Sequence, residues 1–260
     1  MIRIMSFNIW GDYFENPVTE REDGIGRVIS AYSPDILSMQ EATVNWNKSG
    51  LFASLRGEYA FVETDEAPAN NFLPLLYKKE KFSLTDSGFV KFPDTPDVSK
   101  GATWGVFEEK SSGKKLAVFG THFWWKYQGE RAQDLIRVSN AALITAKAFE
   151  LIAEYSCPVV GMGDLNSPYS LPTLDYLKAA GWKLMKEEAA ESSDVGSHHG
   201  DPVRGADGKY HGVRTSKDYT ESLDHIFYRG EIVPAKFEVV QDQFALDASD
   251  HSPIWCEVEI

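Results

Sequence analysis

The stretch MIRIMSFNIW, residues 1–10, reads as a β-strand that is apolar on both faces: Ile2 and Ile4 project to one side, Met5, Phe7 and Ile9 to the other. That pattern suits a central strand covered on two sides. Asn8 interrupts it, and an unpaired amide in a core costs roughly 1–3 kcal/mol. The strand therefore predicts a sheet packed above and below, with a partner waiting for Asn8.

Working outward, Ile25, Val28, Ile29 and Tyr32 recur at helical spacing before Ser33-Pro34 ends the helix, and DILSMQE returns as a strand delivering Glu41. Residues 59–122 read as a meander with SSGKK as a hairpin turn. Glu130 to Tyr155 reads as a long amphipathic helix with Leu135, Val138, Ala142, Phe149 and Ile152 on its apolar stripe. CPVVGMGDLN is the next strand, and a short helix from Thr173 to Ala180 stops at Gly181. SLDHIFY and HSPIWCEVEI close the chain as strands, the second alternating Ile254, Cys256, Val258 and Ile260 against Trp255, Glu257 and Glu259. Strands and helices in this order predict an α/β (α+β) fold of two stacked mixed β-sheets with helices outside. No linker divides the chain, so residues 1–260 are expected to form a single domain.

The composition, 43% hydrophobic with 15 Phe, 11 Tyr and 7 Trp, is that of a folded protein with a sizeable core. With 26 Lys and Arg against 39 Asp and Glu, the formal charge of −13 disfavours tight, sequence-blind nucleic-acid binding. A phosphate substrate is not excluded, because acids gathered at a metal site enter the same total. Cys157 and Cys256 lie in apolar stretches without metal or redox spacing and read as buried free thiols. No stretch approaches the roughly 20 apolar residues of a membrane span, and no basic leader precedes the first strand. A cytoplasmic monomer is the expectation.

Polar residues recur where strands run out: Asn8 in SFN, Glu41 in MQE, His122 in GTH, Asp164 and Asn166 in GDLN, Asp224 in LDH, Asp250 and His251 in SDH. Asp164 and Asn166, two apart, address one side of an extended chain. If Glu41, Asp164, Asp224 and Asp250 converge, like charges about 4 Å apart repel by about 4 kcal/mol at an effective dielectric near 20. Such a cluster wants a proton or a cation, and hard oxygen ligands without thiolates favour Mg²⁺ or Mn²⁺.

In order and spacing these motifs resemble the endonuclease/exonuclease/phosphatase superfamily, and the likeness runs from the first strand to the last. It implies a four-layered α/β sandwich that hydrolyses phosphoesters with a divalent metal at one end. By that resemblance Glu41 is the principal Mg²⁺ ligand, helped by Asn8 and by Asp250. Asp164 is the general base on the attacking water, and Asn166 holds water or a phosphoryl oxygen. His251 and His122 contact nonbridging oxygens as charge builds, with Asp224 orienting one of them. The implied partner is a phosphorylated substrate; a nuclease is the alternative within the class, and an inactive sandwich serving as a binding module the alternative outside it.

Some relatives carry an acid where this chain has Trp10, so Asp12 enters as a candidate for the metal shell. The acid or tyrosine that partners the TH histidine in relatives is not identifiable in residues 63–110. Arg131 and Gln133 brace the loop before their helix or reach substrate, or else form a solvated helix start. Phe123 is expected in the core, Trp124 and Trp125 are left open, and the role of His225 is open. His198, His199 and His211, in a Gly-rich polar loop, are expected in solvent. Specificity is expected from the Glu187–Lys217 excursion and the loop around Pro93 to Gly101.

Overall fold

The structure is a computed structural model and describes residues 1–214 and 222–260. The last three residues of the Glu187–Lys217 excursion lie outside the described residues.

In chain order the strands are β1 (Ile2–Asn8), β2 (Ile36–Gln40), β3 (Tyr59–Phe61), β4 (Leu75–Lys78), β5 (Phe82–Lys91), β6 (Gly101–Glu109) and β7 (Lys115–His122). They continue as β8 (Val159–Asp164), β9 (Lys183–Leu184), β10 (Glu191–Ser192), β11 (Val203–Arg204), β12 (Tyr210–His211), β13 (Asp224–Arg229), β14 (Val233–Val239) and β15 (Ile254–Glu259). One sheet has the order β10-β14-β15-β1-β2-β4-β3 and the other β5-β6-β7-β8-β13-β9. Both are mixed: β1 runs parallel to β2 and β7 parallel to β8, whereas β1–β15 and β8–β13 are antiparallel.

The two faces of β1 go where their side chains require. Ile2 and Ile4 join Val118, Val160, Ile226 and Cys256 between the sheets. Met5, Phe7 and Ile9 pack outward with Ile25, Val28 and Ile29 of the helix Glu22–Tyr32. Ala117 and Phe119 of β7 pack under Ala141, Ile144, Ala148 and Leu151 of the helix Arg131–Tyr155. The result is the four-layered sandwich, helix on sheet on sheet on helix. Both cysteines are free and buried. No helix among the described residues is long and apolar enough to cross a membrane.

The long helix corrects the sequence reading. Leu135 and Phe149 are 54% and 46% exposed, and the buried stripe carries Asp134, Arg137, Ala141, Ile144, Ala148 and Leu151. An ion pair can sit on that face because Arg137 pairs with Asp134 and donates to the carbonyls of Trp124 and Lys126 at 3.0 and 3.1 Å. A hydrophobic stripe counted from side-chain types cannot see that a charged pair is satisfied from the preceding loop.

Candidate active site

Register brings the strand-end residues together. Asn8 lies opposite Gln40, with Glu41 next along the chain; His122 lies opposite Asp164, and Asp164 opposite Asp224. Parallel strands end on the same side, so β1, β2, β7 and β8 deliver their last residues to one end of the sandwich. Asp250 and His251 enter from the turn before β15, where Ser249 Oγ donates to the Asn8 carbonyl at 2.7 Å. Trp10, Glu41 and Asn166 all adopt positive φ, at 54°, 64° and 48°. Non-glycine residues rarely adopt this left-handed conformation, and here it turns the chain sharply as it leaves β1, β2 and β8.

The Asn8 amide has its partners. Its NH₂ group donates to Asp164 Oδ2 at 3.1 Å and to Glu41 Oε1 at 3.3 Å, while its oxygen accepts from the Trp10 amide at 3.1 Å. Glu41 also accepts from the Gly11 amide at 2.7 Å. Asp164 Oδ1 accepts from the Asn166 amide at 2.8 Å, and its Oδ2 faces His122 Nε2 at 3.2 Å and His251 Nε2 at 3.8 Å. The Asn166 side chain donates to the Phe123 carbonyl at 3.3 Å. His251 is held from behind by Asp224 Oδ2, 2.7 Å from Nδ1, and that oxygen also accepts from Ser197 Oγ at 2.7 Å.

Burial opposes the charged forms of these groups, and their neighbours decide the outcome. The neighbouring His251 and His122 rings and the Asn166 amide hold Asp164 far below the usual carboxylate range despite its burial. Glu41 is likewise lowered against burial, by His122, Lys100 and the Gly11 amide. Against its own burial His251 is raised well above the ordinary imidazole value by Asp224, Asp164 and Asp250. Asp250 goes the other way: burial pushes it up to about 7 against the pull of His251, and Glu41 and Asp201 add to the rise.

That last shift bears on a metal. A carboxylate kept from ionising by burial and neighbouring acids marks a place where negative charge is in excess, and hard oxygen donors suit Mg²⁺ or Mn²⁺. Glu41 and Asp250 both line the same cavity, and among the described residues the candidate ligand atoms that lie within 4.8 Å of one another are those of Asp164, Asp224 and His251 and of His198, Asp250 and His251. Asp12 does not join them, because its carboxylate accepts from Thr43 and Asn45 outside the cavity.

All of this opens on a cavity of about 710 Å³. Sequence reasoning missed Lys100 there, a buried lysine whose Nζ lies 3.0 and 3.1 Å from the two ring nitrogens of His122. An Asx turn in which Ser99 donates to Asp97 at 2.9 Å aims it inward. A single lysine ahead of a strand has no periodic signature, so nothing short of the fold would find it.

His198 and His199 are not in solvent as expected. Residues 197–199 pair back on the turn before β15, through His199 N to Asp250 O at 3.0 Å and Ser252 N to Ser197 O at 2.6 Å. His198 packs edge-on against His251 with centroids 4.8 Å apart and lines the cavity, and His199 lies 2.8 Å from the Ser249 carbonyl. His211 is exposed beside Asp207. His225 is buried, 2.9 Å from the Ser167 carbonyl, and serves structure. Phe123 and Trp124 are buried, Gln133 braces Trp124 Nε1 at 2.6 Å, Arg131 is exposed, and Trp125 is 50% exposed on the cavity wall.

The sequence matches the Endonuclease/Exonuclease/phosphatase family over residues 5–251, and the chain belongs to that family. Among solved structures it is similar to an endonuclease/exonuclease/phosphatase from Bacteroides vulgatus (24% identity, TM-score 0.82, covering 100% of this chain and 98% of that one). It is similar also to a mannosyl-6-phosphatase from Bacteroides thetaiotaomicron (19% identity, TM-score 0.80, 100% of both chains). A third is TDP2 from D. rerio complexed with a single-strand DNA product (18% identity, TM-score 0.75, 100% of this chain and 99% of that one). These likenesses show the fold. No curated protein matches the sequence.

Proposed function

We propose that the protein is a divalent-metal-dependent phosphoesterase that hydrolyses its substrate by in-line attack of water. The observation that carries this reading is the convergence on Asp164: an ionised, buried carboxylate aligned by the Asn8 amide and the Asn166 backbone, with His122 and His251 beside it. Family membership and neighbours whose names include a mannosyl-6-phosphatase and a protein holding a DNA product support phosphoester chemistry.

Glu41 and Asp250, with Asn8 behind Glu41, would hold Mg²⁺ or Mn²⁺. When bound, the cation screens the charge on phosphoryl oxygens and polarises the phosphorus toward attack. Asp164 orients the water and takes its proton as the new oxygen–phosphorus bond forms and the bond to the leaving oxygen breaks. His251, kept protonated and fixed by Asp224, donates to a nonbridging oxygen as charge accumulates there. His122 contacts a nonbridging oxygen from the end of β7, beside Asp164 on β8, and Asn166 adds an amide to hold water or a phosphoryl oxygen.

The test is turnover of p-nitrophenyl phosphate and bis(p-nitrophenyl) phosphate with Mg²⁺ or Mn²⁺. The expected result is hydrolysis of one or both that requires the metal and falls at least about a hundredfold in Asp164→Asn. Turnover without metal, or an unimpaired Asp164→Asn enzyme, rejects the reading.

A further inference from the structure

Resting on that reading, we infer that the site takes phosphomonoesters of a neutral, ring-bearing alcohol such as a sugar, with Lys100 reading the terminal phosphate. Lys100 is 7% exposed and lines the cavity. Its ammonium makes no ion pair with a carboxylate among the described residues; its direct partner is the His122 ring. A buried ammonium in that position lacks a hydrogen-bond acceptor worth its desolvation, and an anion entering the cavity supplies one. The protein holds it there deliberately in physical terms: Lys100 N donates to Asp97 O at 3.2 Å, and Thr95 and Ser139 tie the loop to the long helix through Asn140 and Asp94, at 3.1 and 2.9 Å.

The number of charges on the phosphate follows. A monoester carries close to two negative charges at neutral pH, because its second ionisation lies near 6, whereas a diester carries one. The His251 ring, fixed by Asp224 at 2.7 Å, is one donor aimed at the phosphoryl group. Lys100 is a second, and its added attraction is realised in full only by the doubly charged terminal group.

The mouth of the cavity argues against a polymer. A polynucleotide presents phosphates on either side of the scissile one and is held by Lys and Arg there. Apart from Lys100, no lysine or arginine lines this cavity among the described residues, and Asp97 and Asp201 stand at its edge. Large apolar side chains share the wall with these groups and stand open: Tyr13, Phe14, Val98 and Trp125 are 56%, 73%, 80% and 50% exposed. Tyr13 is folded back over Gly11, where an added Cβ would meet its ring at 2.2 Å, so the glycine is needed for the ring to take this position. Exposed aromatic side chains around a few convergent polar groups suit an amphipathic ring seated on its flat face.

The experiment compares a hexose 6-phosphate, glycerol phosphate, bis(p-nitrophenyl) phosphate and a single-stranded oligonucleotide with Mg²⁺ or Mn²⁺, for wild type and Lys100→Met. Wild type is expected to give kcat/KM for the hexose phosphate about a hundredfold above the diester, with glycerol phosphate between them and the oligonucleotide uncleaved. Lys100→Met lowers monoester turnover about a hundredfold and diester turnover by less than about threefold, and inorganic phosphate inhibits it at least about tenfold more weakly. Preference for the diester or the oligonucleotide overturns the inference, as does a parallel loss on both ester classes in Lys100→Met. The wild-type ratio decides the matter even if that variant does not fold. If no phosphoester of any kind is turned over with metal, the parent reading falls and this one with it, a result distinct from turnover with the wrong preference.

Discussion

Asn8 and Asp164, 156 residues apart, meet through a 3.1 Å hydrogen bond at the ends of two strands that belong to different sheets. The same amide reaches Glu41 at 3.3 Å, so one neutral side chain sits between the buried Asp164 carboxylate and the half-buried Glu41 carboxylate and reduces their repulsion. Asn8→Asp puts a third acid there. The expected outcome is a loss of kcat/KM of at least about a hundredfold and a stability loss about 2 kcal/mol larger than that of Asn8→Ala, which itself costs about 1–3 kcal/mol. Urea unfolding beside phosphoesterase kinetics checks both; an Asn8→Asp protein as stable as Asn8→Ala contradicts the bridging role.

Asp224 acts through His251 rather than on substrate. Its Oδ2 lies 2.7 Å from Nδ1, the ring nitrogen turned away from Asp164. Asp224→Asn removes the charge that keeps the imidazole protonated and oriented. kcat is expected to fall about a hundredfold with KM changed by less than about threefold, since the lost interaction is made chiefly in the transition state. A variant in which KM rises and kcat holds would show that His251 binds ground-state substrate instead.

Much of this was legible in the sequence because the chemistry sits at strand ends, and strand ends are where alternation of apolar side chains stops. Ile2, Ile4, Met5, Phe7 and Ile9 named both faces of β1 correctly, and of the polar residues at strand ends Glu41, His122, Asp164, Asn166, Asp250 and His251 line the cavity while Asn8 and Asp224 hold Asp164 and His251 from behind. The features that escaped are set by contacts distant in sequence. Lys100 is buried by its loop and by His122, His198 is half-buried by pairing with the turn before β15, and Arg137 is buried by carbonyls of the preceding loop. Local pattern assigns such residues to the surface, because charged and imidazole side chains usually are.

Arg21 is the staple of the segment that leaves β1. Its guanidinium donates to the carbonyls of Ile9 at 2.8 Å, Trp10 at 2.6 Å, Asn16 at 3.1 Å and Ala248 at 3.0 Å, and lies 4.9 and 5.1 Å from the Trp10 and Trp46 rings. Arg21→Met removes these donations and leaves the Trp10 carbonyl only the Trp46 Nε1 donor at 3.3 Å. The expected cost is about 3–5 kcal/mol, and Arg21→Lys recovers only part of it because an ammonium lacks the planar fork. Guanidinium chloride denaturation measures it; a loss under about 1 kcal/mol would show that water takes over the carbonyls.

His225 makes stability depend on pH. Burial pushes its imidazole down to about 4, against the pull of the Ser167 carbonyl and Asp224. The folded state thus keeps the ring neutral where the unfolded chain, titrating near 6.5, has taken up a proton. With fewer protons bound in the folded state, stability is fully present above about pH 6.5, declines as pH falls, and has lost about 3 kcal/mol from this group once pH reaches about 4. His225→Gln keeps a donor for Ser167 and removes the titration. Unfolding free energies for both proteins from pH 7.5 to 4 should converge toward the acid end; parallel curves would show that His225 titrates normally.

Asp250 separates the roles of charge and cation. Its raised carboxyl means that, without metal, an ionised Asp250 works against the fold, since it lies half-buried beside Glu41 and Asp201. Asp250→Asn removes that charge with little change of shape. The metal-free variant is therefore expected to melt a few degrees above wild type, a rise equivalent to about 1 kcal/mol in a chain of this size. A cation that binds only the folded state should raise the wild-type midpoint with concentration, and the gain should shrink or vanish in Asp250→Asn and in Glu41→Gln. Thermal unfolding in EDTA and across a Mg²⁺ or Mn²⁺ titration gives both readings without reference to turnover. A metal-free Asp250→Asn protein less stable than wild type would mean that the carboxylate is held by partners of its own, and an undiminished response to metal would place the cation elsewhere.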